Sequence, residues 1–232
     1  SQAALSGERD AGGAWQLRSR GELTGFDPTL WFAGLREGAW RQGPNRLAGR
    51  WQADLQGSSV TAAPLGAPAR LLALRGQVEL DLRHSLLAGV PLKGHVKLDG
   101  GGAGWGVDAD LRSAANHATL QGRFAPRAED DRWRIDVDAP ALAALQPLIS
   151  LAPGAAEALR APNGEPLSGQ LSGQLHTQGR WPALAVGGNL HGSALRLGRL
   201  RAAQLKVQAE AGADADAPLS LQTAGGAYAP QN

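Results

Sequence analysis

The chain carries carboxylates in closely spaced pairs, Asp108 with Asp110 and Asp136 with Asp138. Two positions apart on a strand, both members of a pair project from the same face, roughly 7 Å from each other. General acid/base chemistry on a glycoside works at separations of that order. Such chemistry also needs a cleft that drives the two pKa values apart, and the surrounding residues give none. In "GVDADL" and "RIDVDA" apolar residues alternate with the acids, so the acids read as the polar face of strands whose other face is apolar. The five histidines, His84, His95, His117, His176 and His191, stand singly, none two or four positions from another. They read as solvent-face strand residues rather than metal ligands or bases. With no cysteine there is no disulfide, thiol nucleophile or Cys-based zinc site.

Two glycine motifs fail on their context. After Asp99, "GGGAGWG" would need a following helix to bind a dinucleotide, yet alternation resumes from Trp105 to Leu111. A calcium-binding β-roll would need Asp where Gly106 stands, and many copies. The stretch reads as a hairpin connection. In "GQLSG", 169–173, Leu171 occupies the place a nucleophile elbow gives to Ser. The residues therefore point away from an enzyme and from any cofactor or metal. Lys and Arg number 23 against 21 Asp and Glu, a net charge of +2, and basic and acidic residues alternate, as in Arg75, Glu79, Asp81 and Arg83. That is a solvated sheet face, not a nucleic-acid surface.

Alternation at period 2 is the dominant signal. It covers Trp15–Leu17, Leu47–Leu55, Leu74–Leu82, Leu92–Leu98, Trp105–Leu111, Ala118–Phe124, Trp133–Val137, Leu171–Leu175, Leu184–Val186, Leu195–Leu197, Leu205–Ala209 and Leu219–Leu221, about a dozen candidate strands. Helical candidates are few: 28–36, with Asp27 as N-cap and Pro28 at N1, the Ala/Leu run 141–151, and 153–161. The seven Trp read as anchors at strand ends and loops, or as an amphipathic rim where an apolar ligand meets water.

Apolar residues make up 43% of 232, but only three Phe, one Tyr and no Met are available to fill an interior, and 32 residues are Gly. About twelve strands with one apolar face need a second layer that three short helices cannot supply. A sandwich, a closed barrel, or a curved sheet covered by something outside the chain would each solve this. The inward Gly positions (49, 76, 94, 122, 173) leave room along the sheet. No run approaches the length of a transmembrane helix. The polar and Gly-rich ends, without an initiator Met, suggest a piece of something longer, with targeting information outside it.

The stretches 26–55 ("FDPTLWFAGLREGAWRQGPNRLAGRWQADL"), 75–99, 132–153 ("RWRIDVDAPALAALQPLISLAP") and 179–210 together resemble an interior segment of the TamB family, the translocation and assembly module proteins related to AsmA-like lipid-transfer proteins. The resemblance spans roughly residues 15–222. It implies an all-β fold, a mainly antiparallel sheet folded into an elongated trough (a β-taco) with a few short helices, and it favours the open groove over a closed barrel or sandwich. It implies one elongated β-rich segment, 1–232, of a periplasmic, inner-membrane-anchored, envelope-spanning protein of Gram-negative cells. The function implied is to shield and conduct phospholipid acyl chains between inner and outer membrane, or to act as a chaperone-like module pairing with outer-membrane protein strands. An outer-membrane TamA-like barrel would be met through other parts of the full-length protein. The expected lining is Leu74, Val78, Leu80, Leu82, Val96, Leu98, Val107, Leu111, Leu120, Phe124, Ile135 and Val137, continued by Leu171, Leu175, Val186, Leu190, Leu205 and Val207.

Overall fold

The computed structural model describes residues 2–31, 38–41, 43–58, 74–151, 167–180, 183–197, 200–209 and 219–224. Twelve strands form one antiparallel sheet in sequence order: β1 Gln2–Arg9, β2 Ala14–Phe26, β3 Leu47–Ser58, β4 Arg75–Leu87, β5 Val90–Gly101, β6 Gly104–Ser113, β7 Asn116–Phe124, β8 Arg132–Ala139, β9 Ser168–Arg180, β10 Ala183–Leu197, β11 Leu200–Ala209 and β12 Leu219–Ala224. β1 pairs only with β2 and β12 only with β11, so the sheet is open. The closed barrel and the sandwich are thereby corrected: among the described residues no second sheet exists and the first and last strands do not meet.

Register holds the alternation in phase from strand to strand. One row across the sheet reads Ala53, Val78, Leu98, Val107, Gly122, Trp133, Thr177 and Val186. The next reads Trp51, Leu80, Val96, Ala109, Leu120, Ile135, Leu175 and Gly188. Between them, on the other face, runs Gln52, Glu79, Lys97, Asp108, Gln121, Arg134 and His176. With strands about 4.8 Å apart, a row crossing the whole sheet extends about 50 Å.

Glycine and tryptophan are matched to one another across this single layer. Trp15, Trp51, Trp105 and Trp133 are each paired directly with a glycine, respectively Gly57, Gly21, Gly100 and Gly122. A Cβ on Gly57, Gly100 or Gly122 would strike the indole of its partner, so each ring lies across a residue with no side chain. Gly76 (φ 132°) faces Leu55, and a Cβ there would collide with the Asp54 carbonyl oxygen. Only glycine fits so close an approach of backbone to backbone.

One end of the sheet differs from the other. There β2, β4 and β10 each carry a register shift, at Leu23/Phe26, Leu82/Ser85 and Ser193/Arg196. In β4 the bulge places His84 at φ 48° and reverses the phase of alternation, so that Ser85 and Leu87 continue the face of Leu82. The strand thus runs on to Leu87 and a two-residue turn, Ala88–Gly89, with positive φ at both positions as a type I′ hairpin requires. Because the phase changes, 85–91 looks like a loop when read from sequence alone.

The helical segments lie at this same end. Asp27 caps α1 (Pro28–Trp31), its Oδ1 accepting from the Thr29 N–H at 2.9 Å; the rest of the expected 28–36 helix, and all of 153–161, fall outside the described residues. The 141–151 run is not one α-helix. It is a 3₁₀ turn, Leu142–Leu145, followed by α2, Gln146–Ile149. Pro147 has no N–H to give to the carbonyl four residues back, which ends any continuous ladder and confines α-geometry to the turn it begins. Replacing Gly76 by Val should cost at least about 2 kcal/mol through strain and collision. A thermal melt followed by circular dichroism should show a clear fall in Tm; an unchanged Tm would contradict the close approach.

Candidate functional site, an apolar sheet face capped at one end

The expected lining residues within strands share one face. Val78, Leu80, Leu82, Val96, Leu98, Val107, Leu111, Leu120, Phe124, Ile135, Val137, Leu171, Leu175, Val186, Leu190, Leu205 and Val207 follow continuous cross-strand rows. Leu74 lies immediately before β4 and is half-buried; the side chain of Val207 lies outside the described residues. Most of the set is half-buried, as expected of side chains flanked by neighbours on their own sheet and left uncovered above. Leu82 is the exception, at 8% exposure, beside the register shift that leads to buried Ser85. Toward the β1 edge the face continues to Leu5, which pairs with Ser19 and is 72% exposed.

The cap is built from buried polar side chains that hold main chain in place. Asn45 accepts from the Ala88 N–H at 2.8 Å and donates to the Trp40 carbonyl at 2.9 Å, fastening the β2–β3 connection to the β4–β5 turn. Ser85 Oγ bonds both N–H and C=O of Ala48 at 2.9 Å, replacing ladder bonds lost at the bulge. Asn116 does the same for the turn after β8: its Oδ1 accepts from the Ala141 N–H at 2.9 Å and its Nδ2 donates to the Ala141 carbonyl at 3.1 Å. Ala139, last of the row Trp133, Ile135, Val137, is only 1% exposed, and Leu142 only 5%. The 3₁₀ turn therefore folds back over the end of the apolar face. Asn45, Ser85 and Asn116 were invisible to a reading by periodicity, because single polar residues near turns carry no repeating signal.

The paired carboxylates lie on the opposite face, and three of the four are bound by their neighbours. Asp108 accepts from Gln121 Nε2 at 3.0 Å, and Asp136 lies 3.7 Å from Arg134 Nε. Asp110 meets His117 Nε2 at 3.0 Å and Arg112 Nε at 3.4 Å. The hydrogen bond from His117 holds the Asp110 carboxyl below its ordinary value of 3.8; slight desolvation opposes this, and the charges of His117 and Arg112 reinforce it. His95 Nδ1 makes a similar contact with Asp81 at 2.8 Å. Among the described residues no three His, Asp or Glu side chains converge as a metal cage. No helix among them is long and apolar enough to cross a membrane. No protein-family model, curated protein or solved structure matches this chain.

Two outcomes follow for the cap and the polar face. Asn116→Ala leaves the Ala141 N–H and C=O without their partner, a loss of about 2–3 kcal/mol, and should accelerate amide hydrogen exchange over 141–150 more than over β5 and β6. Asp110, whose pKa is lowered on folding, adds stability that is present above its unfolded pKa and is lost as pH falls through the folded value. The stability gap between the wild type and Asp110→Asn should be widest above about pH 4 and should narrow below it, as read by urea melts across the acid range. A gap that grows with acid would refute the pairing.

Proposed function

We propose that this chain is a segment of a TamB-like, non-enzymatic conduit in the periplasm, whose apolar face shelters phospholipid acyl chains passing between inner and outer membrane during outer-membrane biogenesis. The observation that supports this most directly is the mainly apolar face from β3 to β10, in register and without a second layer among the described residues. A contiguous uncovered apolar surface of this kind marks a binding surface rather than a core. Each methylene transferred from water to such a face gains about 0.8 kcal/mol, so an acyl chain is held strongly against water. Against a bilayer interior the same transfer is nearly neutral, which permits sliding and release. Across the eight strands from β3 to β10 the apolar rows extend about 34 Å, comparable with the roughly 30 Å hydrocarbon core of a bilayer and long enough to lay a lipid along them.

Val78, Val96 and Ile135 stand at the middle of the face, away from the cap. Val78→Asp, Val96→Asp and Ile135→Arg place charge where a chain would lie, and each should reduce photo-crosslinking of a diazirine-tailed phospholipid by more than about tenfold while leaving the fold intact. Undiminished crosslinking in all of them would overturn the reading.

A second reading draws on the edges. Among the described residues β1 pairs on one side only, and its outer N–H and C=O groups are positioned to pair with a strand of an outer-membrane protein client. Successive residues of a strand turn their N–H groups to opposite sides. Of Leu5→Pro and Ser6→Pro, one should abolish client binding in a pull-down while sparing the β1–β2 ladder; retention of client by both would exclude the edge.

A further inference from the structure

We propose that the polar face carries a separate binding site for a phosphate group, formed by Arg123 on β7, Arg132 and Arg134 on β8 and His176 on β9. The charge pattern of that face leads to it. Elsewhere opposite charges meet across strands: Arg18 with Asp54 at 3.3 Å, Lys97 with Glu79 at 3.8 Å and His95 with Asp81 at 2.8 Å. Arg123 and Arg132, by contrast, are directly opposed, an arrangement of like charges that destabilises a sheet. Lys93 and Arg112 are also opposed, but Arg112 is bound by Asp110 at 3.4 Å. Arg196 faces Arg201, whose side chain lies outside the described residues. Arg123 and Arg132 thus form a cross-strand pair that no described carboxylate neutralises. A local rule broken without compensation within the fold points to a ligand.

The surroundings fit an oxyanion. Arg123 donates to the Ala103 carbonyl, and Arg132 Nη1 to the carbonyls of Glu129 at 2.5 Å and Asp131 at 2.9 Å. Those neutral acceptors orient the guanidinium groups without cancelling their charge. Arg134 is shared between Asp136, 3.7 Å from its Nε, and Gln174 Oε1, 3.3 Å from its Nη2. The three arginines and His176 line one hollow of about 380 Å³ together with Gln178 and with Gln121, whose Nε2 also donates to Asp108, and no carboxylate is among its lining residues. Asp99 lines the adjoining hollow with Arg75 and Arg123. Planar guanidinium forks match the geometry of phosphate oxygens, and a phosphate monoester, with nearly two negative charges, compensates an arginine pair better than a single carboxylate would. The site lies on the face opposite the apolar groove, so it stands or falls independently of lipid conduction.

The test titrates inorganic phosphate into the whole chain while following arginine Nε–Hε NMR signals, and measures co-flotation with phosphatidylcholine vesicles with and without phosphatidic acid. Saturable shifts at Arg123, Arg132 and Arg134 are expected, weakened at least about tenfold in Arg123→Gln/Arg132→Gln and unchanged in Arg18→Gln/Arg20→Gln on the same face. Flotation with the acidic vesicles, competed by phosphate, would assign the group to a membrane lipid; phosphate binding without flotation would assign it to a soluble phosphate compound. Absence of both, or equal loss in the control pair, would overturn the site. Should the double variant melt, the wild-type shifts decide the question alone.

Discussion

The structure depends on the phase of one hydrogen-bonded ladder. Since side chains alternate face by face, a slip of one residue in any hairpin would carry every apolar residue beyond it to the charged side. Among the described residues no second layer corrects such an error, so the burden falls on the turns and on the residues that pin them. Asn45, Ser85 and Asn116, each buried and each bonded to main chain on another strand or turn, set the capped end. At the opposite end Asp131 does comparable work: its carboxylate accepts from the Ala125 N–H at 2.6 Å, and its own carbonyl accepts from the Gly179 N–H at 3.0 Å.

A single layer must also find body without a conventional core. Buried apolar residues are few among those described, and several are alanines. The indoles supply what is missing: laid across cross-strand glycines, Trp15, Trp105 and Trp133 cover backbone that would otherwise face water. Large and absent side chains are thus complementary halves of one device, and the scarcity of Phe and Met is no deficit. The polar face gains its order from cross-strand charges, each exposed and individually weak.

Much of this was legible in the residues. The period-2 pattern located most strands and sorted their faces, because alternation is a property of the strand itself. Asp27 and Pro28 marked the start of α1 for equally local reasons. What escaped was non-local or phase-breaking. β1, with "AALSGER", has too few large apolar residues to show a period, and 184–186 and 195–197, read as two strands, are one long β10 with an irregularity at Ser193/Arg196. The bulge at His84 hid the end of β4, and Pro147 split a run whose apolar content looked continuously helical. The openness of the sheet could not come from alternation at all, since sandwich, barrel and open sheet share it; it rests on which strands pair at the two ends. Nor could the opposed Arg123 and Arg132 be seen before register was known.

The strict sequence order of the strands bears on how the molecule is made. Among the described residues every strand pairs with its neighbours in chain order, and strong strand contacts occur only between such neighbours. Loop closure is therefore cheap at each step, and no strand has to wait for a distant partner. The sheet can assemble like a zipper from one hairpin onward, each new strand docking on the edge its predecessor has just left. A chain that emerges end first would then expose only one growing margin at a time, and the greasy surface would lengthen in step with its delivery rather than collapse all at once.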